Sequence, residues 1–198
     1  MHKDILICGV GGQGTVLASR IIAAAAMDEG SPVHSAETIG MAQRGGSVTS
    51  HVRIGEGAFS PLIPFGGADM LLAFEPAEAV RNLCYLKPGG TVVVNTVPTR
   101  PVLESLHPTG YNGREMISWL QGKCPCILVN ADEVCAPFGS TKFFNLMLVG
   151  IAAGSGRLGI GKDTLLRQIE RYVPARFLET DTRAFLDGFA LGEREASR

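Results

Sequence analysis

Asp4-Ile5-Leu6-Ile7-Cys8 is apolar after its first residue, with no polar alternation, and Gly9-Val10-Gly11-Gly12-Gln13-Gly14 follows at once. A short continuous apolar run that ends in glycine is the pattern of a strand covered on both faces. Thr15 to Glu29 are good helix formers, stopped by Gly30 and Pro32, and Val33 to Glu37 reads as a second strand. Strand, glycine loop, helix and strand in that order open a doubly wound sheet. The expected fold is α/β: a Rossmann-like three-layer sandwich, a mostly parallel sheet with helices on both faces.

The rest of the chain keeps to this plan. Ser47 to Ile54 alternates, placing Val48, Ser50, Val52 and Ile54 on one face and His51 and Arg53 on the other, as a half-exposed strand does. Met70 to Phe74 is another buried strand, followed by a helix opened by Pro76 and reaching about Tyr85. Lys87-Pro88-Gly89-Gly90 turns into the β-branched strand Thr91 to Asn95. The stretch 96–113 holds three prolines and reads as an excursion. Beyond it come a short helix, Arg114 to Gln121, a strand, Cys126 to Asn130, and a helical turn, Ala131 to Phe138. Thr141 to Ala153 is an apolar helix in which Gly150 permits close packing. Lys162 to Tyr172 and Pro174 to Gly192 are amphipathic helices. A length of 198 residues suits one domain, 1–192, with a polar tail at 193–198.

Composition narrows the partners. A net charge of −1 lacks the basic footprint of a nucleic-acid binder. No apolar run reaches the ~20 residues of a membrane span, and Met1-His2-Lys3-Asp4 leads straight into a strand without a signal peptide. The expected compartment is the cytoplasm. Charged residues are only 19% of the chain, which fits a surface partly covered by another subunit. The five cysteines, Cys8, Cys84, Cys124, Cys126 and Cys135, form no paired framework and suit reduced thiols. Cys124-Pro125-Cys126 with Cys135 invites a metal reading, but it lacks the C-x₂-C-x₂-C run of ferredoxin clusters. No metal site is expected.

Two glycine loops hold the chemistry. Gly9-x-Gly11-x-x-Gly14 matches the dinucleotide fingerprint in spacing and context, with Glu37 near the position of a ribose-binding acid. The same glycines also suit a tight strand-to-helix turn, or an anion or subunit contact at the helix N-terminus through Gly11, Gly12, Gln13 and Gly14. The second loop, Gly40-Met41-Ala42-Gln43-Arg44-Gly45-Gly46, sets a guanidinium among glycines, a composition suited to a carboxylate, a phosphate or a neighbouring chain. Candidate contact residues there are Gln43, Arg44, Gly45 and Gly46. His51 and Arg53 either join this cluster or form a solvated strand face. Lys142 and Asn145, three apart at a helix start, either face the carboxyl edge of the sheet together or belong to a helix start capped by Ser140 or Thr141. Glu75 and Glu78 read as surface charge, and no catalytic triad or carboxylate pair is present.

The ordered set of motifs resembles the gamma domain of the 2-oxoacid:ferredoxin oxidoreductases over nearly the whole chain. The resemblance rests on Gly9 to Gly14, on Arg44-Gly45-Gly46 followed by a strand ending in Val52-Arg53, and on Asp69 to Phe74 before a Glu-Pro helix start. Leu86 to Gly90, then Gly139, Lys142 and Asn145, then Ala184-Phe185 with Gly188 complete it. Gln43 before Arg44, and Ser47 to Arg53, are closer to the beta subunit of the indolepyruvate branch. Asp181 stands where the family often has Asn. The resemblance implies an accessory subunit without catalytic residues of its own, inactive alone, in a complex that converts an aryl 2-oxoacid to its acyl-CoA and passes electrons to ferredoxin. It implies that thiamine diphosphate and iron–sulfur clusters sit on a larger partner subunit, with coenzyme A also used by the complex. The alternative reading is a stand-alone NAD(P)-dependent dehydrogenase; a third is a scaffold without substrate contact.

Overall fold

Strand β1 (Lys3–Val10) lies inside a six-stranded sheet whose spatial order is β2-β3-β1-β4-β5-β6. The computed structural model describes residues 2–39, 45–99 and 110–197. Helix α1 (Thr15–Asp28) connects β1 to β2 (Val33–Ile39), and β3 (Ser47–Ile54) returns antiparallel to both β1 and β2. The remaining strands, β4 (Ala68–Ala73), β5 (Leu86–Asn95) and β6 (Cys126–Val129), add to the other side of β1 in parallel. The α/β expectation holds, with one change: the second strand in sequence is not β1's neighbour, because β3 is inserted between them. Strand β5 begins at Leu86, five residues before the β-branched run, because Leu86 pairs with Ala68 ahead of a register shift.

Alternation along β1 divides the core. Ile5 and Ile7 pack on one face with α1, α5 (Phe144–Gly154), α6 (Lys162–Tyr172) and α7 (Ala175–Ala196). Leu6 and Cys8 face the other side, toward α2 (Pro76–Arg81), α3 (Arg114–Gln121) and Ile63. All four of these β1 residues are fully buried. Each fully buried aliphatic side chain contributes about 1.5–3 kcal/mol, so β1 anchors both layers. A short helix, α4 (Ala131–Cys135), follows β6, and α7 continues through Ala196, into the segment read as a polar tail.

Helices α5 and α7 meet through glycine. A methyl group at Gly150 or Gly154 would lie 2.2 Å from the Phe185 carbonyl oxygen or 2.0 Å from that of Phe189. At Gly188 and Gly192 it would meet the carbonyl oxygens of Met147 and Ile151 at 2.2 and 2.3 Å. The two backbones touch along a four-residue repeat on each helix, and only a hydrogen side chain allows that.

Candidate functional site

The carboxyl ends of β1, β4, β5 and β6 border a cleft of about 670 Å³. Ligands of open α/β sheets bind in this position, outside the strand ends. One wall is the glycine loop at the start of α1. The opposite wall is the start of α5, with the segment just before it. Gly12, Gln13, Gly14, Lys142 and Asn145, about 130 residues apart in sequence, line this one cleft together.

Gln13 serves as a bracket. Its Oε1 accepts from the Val10 N–H at 2.8 Å, while Nε2 donates to the Phe74 carbonyl at 3.1 Å and to Thr99 Oγ1 at 3.0 Å. Both amide donors are used within the chain, tying the ends of β1 and β4 to the segment after β5. Asn95 does similar work: Nδ2 donates to the Phe74 and Val97 carbonyls, and Oδ1 accepts from the N–H groups of Val97 and Ala131. Sequence reasoning placed Asn95 only at a strand end and overlooked Thr99, Asp132 and Thr141, which also line the cleft. A carboxamide closing a β-branched run was the available signal for Asn95.

Two groups remain unused. Asn145 is 7% exposed, and its Oδ1 accepts from the N–H of Leu146, leaving Nδ2 without a hydrogen-bond partner among the described residues. Lys142 is exposed at the rim and has no ion-pair partner among the described residues. Gly14 caps α1 with φ +80° and lines the cleft, so the N-terminal end of α1 borders it. Helix dipole, ammonium and amide donor together favour an anion on this side, whereas the carboxylate of Asp132 disfavours one at the α4 end.

The two glycine loops are joined, since the Gly11 N–H donates to the Gly46 carbonyl at 2.9 Å. Gln43 and Arg44 lie outside the described residues. Gly45 borders a second, smaller cavity of about 170 Å³ with Ser47, Glu75, Glu78 and Tyr111. Glu75 and Glu78 are not surface charge: they are 2% and 3% exposed. Glu75 Oε2 caps α2 through the Glu78 N–H, and its Oε1 accepts from the Tyr111 hydroxyl at 2.5 Å. Burial and this bond push the Tyr111 hydroxyl well above its ordinary pKa. Glu78 takes Ser47 Oγ at 2.6 Å and pairs with Arg81. The periodicity of so short a helix could not reveal that the β3 start and Tyr111 cover it.

His51 and Arg53 do not join the cleft, and the solvated-face alternative fails as well. His51 is 4% exposed and its Nδ1 accepts from the Ile63 N–H at 3.1 Å. Arg53 grips Asp4 in two-point fashion, Nε to Oδ1 at 3.0 Å and Nη2 to Oδ2 at 3.1 Å. The segment between β3 and β4 folds over this face and buries it.

The dinucleotide alternative loses its acid. Glu37 is on β2, separated from β1 by β3, and its Oε1 accepts from Ser19 Oγ at 3.1 Å. Cys124 Sγ and Cys126 Sγ lie 3.8 Å apart, but Cys135 packs in the core layer on the other face of the sheet, where burial raises its thiol pKa to about 11, so the three do not meet. Among the described residues no group of three or more His, Cys, Asp and Glu side chains could hold a metal ion. No single helix among them is long and apolar enough to cross a membrane.

Residues 4–191 match a sequence family described as pyruvate ferredoxin/flavodoxin oxidoreductase. The chain is 37% identical to "Indolepyruvate oxidoreductase subunit IorB" of Methanothermobacter thermautotrophicus, over 96% of this chain and 97% of that one. In fold it is similar to a keto/oxoacid ferredoxin oxidoreductase gamma subunit from Geobacter sulfurreducens, with a TM-score of 0.70, 23% identity and coverage of 97% and 99%. It is also similar to 2-oxoglutarate:ferredoxin oxidoreductase from Magnetococcus marinus, solved with 2-oxoglutarate, coenzyme A and succinyl-CoA bound. That match has a TM-score of 0.74 and 20% identity, over 98% of this chain and 31% of the other.

Proposed function

The chain belongs to the pyruvate ferredoxin/flavodoxin oxidoreductase family, and from that premise we propose that it is the accessory subunit of an indolepyruvate-type 2-oxoacid:ferredoxin oxidoreductase in the cytoplasm. The observation that carries the substrate branch is the 37% identity over nearly the full length of an indolepyruvate oxidoreductase subunit. Its partner is a larger subunit that holds thiamine diphosphate and iron–sulfur clusters, and ferredoxin is met through the complex. In the overall reaction the carboxylate carbon of the oxoacid leaves as CO₂, the acyl carbon bonds to the coenzyme A sulfur as the thiol proton is released to solvent, and two electrons pass to ferredoxin. Thiamine diphosphate, when bound by the partner, supplies the stabilised carbanion that decarboxylation requires.

This chain's part is binding and orientation. The α1 N-terminus, Asn145 Nδ2 and Lys142 Nζ form an anion-binding wall suited to the phosphates of coenzyme A. The Asn145 side chain, held against Gly14 and lining the cleft with Nδ2 donating to no described residue, is the feature that favours a ligand there. Gln13 and Asn95 hold the strand ends that shape the cleft. The Gly45–Gly46 loop, with Gln43 and Arg44, is assigned to subunit contact.

The deciding experiment expresses the chain with and without the larger subunit from the same source. Co-purification as a brown complex that reduces ferredoxin with indolepyruvate and coenzyme A is the expected result, with the isolated chain colourless and inactive. An isolated chain that binds NAD(H) and oxidises a substrate alone would overturn the reading.

A further inference from the structure

Three large apolar side chains stand in solvent on one short segment between β3 and β4: Phe59 is 99% exposed, Phe65 74% and Leu62 54%. The segment sits at the amino end of β1 and β4, because β3 ends opposite Lys3 and β4 starts beside it. It is therefore at the opposite end of the sheet from the cleft. A loose apolar loop would fold these groups inward, and this one is prevented from doing so. Arg53 Nη1 donates to the carbonyls of Ser60 and Leu62 at 3.1 and 3.3 Å while Asp4 fixes the rest of the guanidinium. His51 takes the Ile63 N–H, and the Gly66 N–H donates to the Cys84 carbonyl at 2.9 Å. Ile63 itself is 2% exposed and plugs the lower face of the sheet. The backbone is held from beneath, Phe59 and Leu62 are presented outward, and Phe65 leans on the Tyr85 ring, centroids 4.8 Å apart, with most of its surface still exposed.

Holding an apolar surface in its exposed conformation lowers the ordering cost of binding and makes sense only for a contact. We propose that residues 55–67 form a preorganised anchor whose Phe59, Leu62 and Phe65 enter an apolar pocket on the larger subunit of the complex, an inference that rests on the oxidoreductase reading above. The cleft, where Phe74 and Phe144 stand among amide, hydroxyl and charged groups, is assigned above to an anionic ligand and is not the socket for this tip. A tip-to-tip dimer is also too small. Large apolar side chains bury about 150–250 Å² each, so three supply on the order of 500 Å², below the roughly 800 Å² per partner of a stable interface. As the central cluster within a wider footprint on a larger chain, the same area is sufficient. The same fold makes up 31% of the longer Magnetococcus marinus chain, so it does occur joined to a much larger polypeptide. With the cleft at one end and the anchor at the other, the chain engages its complex from both ends of the sheet.

The test compares the full wild-type chain with Phe59→Ser/Leu62→Ser and with Phe59→Leu, each titrated against the larger subunit. Because both residues are exposed, circular dichroism and Tm are expected to match wild type. The double variant is expected to bind at least about thirtyfold more weakly, as loss of an interface hot spot does, while Phe59→Leu stays close to wild type. Equal affinity for all three chains would overturn the anchor and leave the subunit reading intact. A wild-type chain that forms a dimer abolished by the double variant would overturn the choice of partner. A wild-type chain that does not bind the larger subunit would overturn the oxidoreductase reading instead, and the anchor with it.

Discussion

Gly14 and Asn145 are in direct contact across the cleft: a methyl group at Gly14 would lie 2.6 Å from Asn145 Nδ2. Gly14 also adopts φ +80°, a backbone conformation that side chains resist. The two constraints add. Gly14→Ala is expected to lower stability by about 1–3 kcal/mol through backbone strain and to push the Asn145 amide out of place. Thermal unfolding of the variant checks the first effect, and an unchanged Tm would contradict it.

If the amide and ammonium hold an anionic ligand, removing either should weaken ligand use without harming assembly. Asn145→Ala and Lys142→Ala are each expected to raise the KM for coenzyme A about tenfold in the assembled complex, the value of one charge-assisted hydrogen bond. Values of kcat near wild type would accompany the change. A KM unchanged in both variants would remove the phosphate assignment.

The α5–α7 contact offers a sharper test of packing. At Gly188 an added methyl would lie 2.2 Å from the Met147 carbonyl oxygen, so two helix backbones would have to separate. Gly188→Ala is expected to cost about 2–4 kcal/mol, an overpacking penalty enlarged by the rigidity of the backbone. Gly122 is the control, since its nearest neighbour would be at an ordinary 3.5 Å and its φ is −77°. Chemical denaturation of both variants measures the difference, and equal losses would refute the close-contact argument.

The β1–α1 opening was legible as an unbroken apolar run closed by glycine and followed by helix formers, and the strand β3 and the helices α3 and α6 because each has a clean period and a stop residue. Strand order was not. Nothing in the residues of β3 says that it inserts between β1 and β2, because that choice is made by hydrogen bonding across the sheet. The cleft was half legible: glycines and the Lys142/Asn145 spacing pointed to it, whereas Asn95 and Thr99 entered only when the strand ends converged. His51, Arg53, Glu75 and Glu78 were misread for one reason. Local pattern records which face a residue occupies, and here another segment covers that face: 55–67 over His51 and Arg53, Ser47 and Tyr111 over Glu75 and Glu78.

Asp181 is 8% exposed on α7, and burial raises its carboxyl pKa from 3.8 to about 6. The folded state thus prefers the protonated acid, a stabilising contribution that is complete below pH 3.8 and lost as pH rises through 6. Asp181→Asn removes the ionisation. The variant is expected to exceed wild type by roughly 1–3 kcal/mol at pH 8, since each pKa unit is worth about 1.36 kcal/mol, and to match it near pH 4. Urea unfolding at both pH values settles the matter, and a pH-independent difference would rule out this carboxyl group as its source.

His51 carries the opposite sign. Burial, then the neighbouring Arg53 charge, holds its imidazole below the ordinary value of 6.5. A folded pKa lowered in this way contributes stability that is present above pH 6.5 and declines as pH falls through the folded value. The structural consequence is local, because Nδ1 must stay unprotonated to accept the Ile63 N–H that braces the exposed Phe59 segment. The protection factor of the Ile63 amide, its exchange rate relative to the intrinsic rate at the same pH, is expected to fall on acidification below pH 6.5, together with a drop in overall stability of up to about 1.4 kcal/mol per pH unit. His51→Asn, which keeps a neutral acceptor near the same place, should flatten that acid limb. An acid limb that persists in the variant would assign the titration to another group and leave the brace independent of pH.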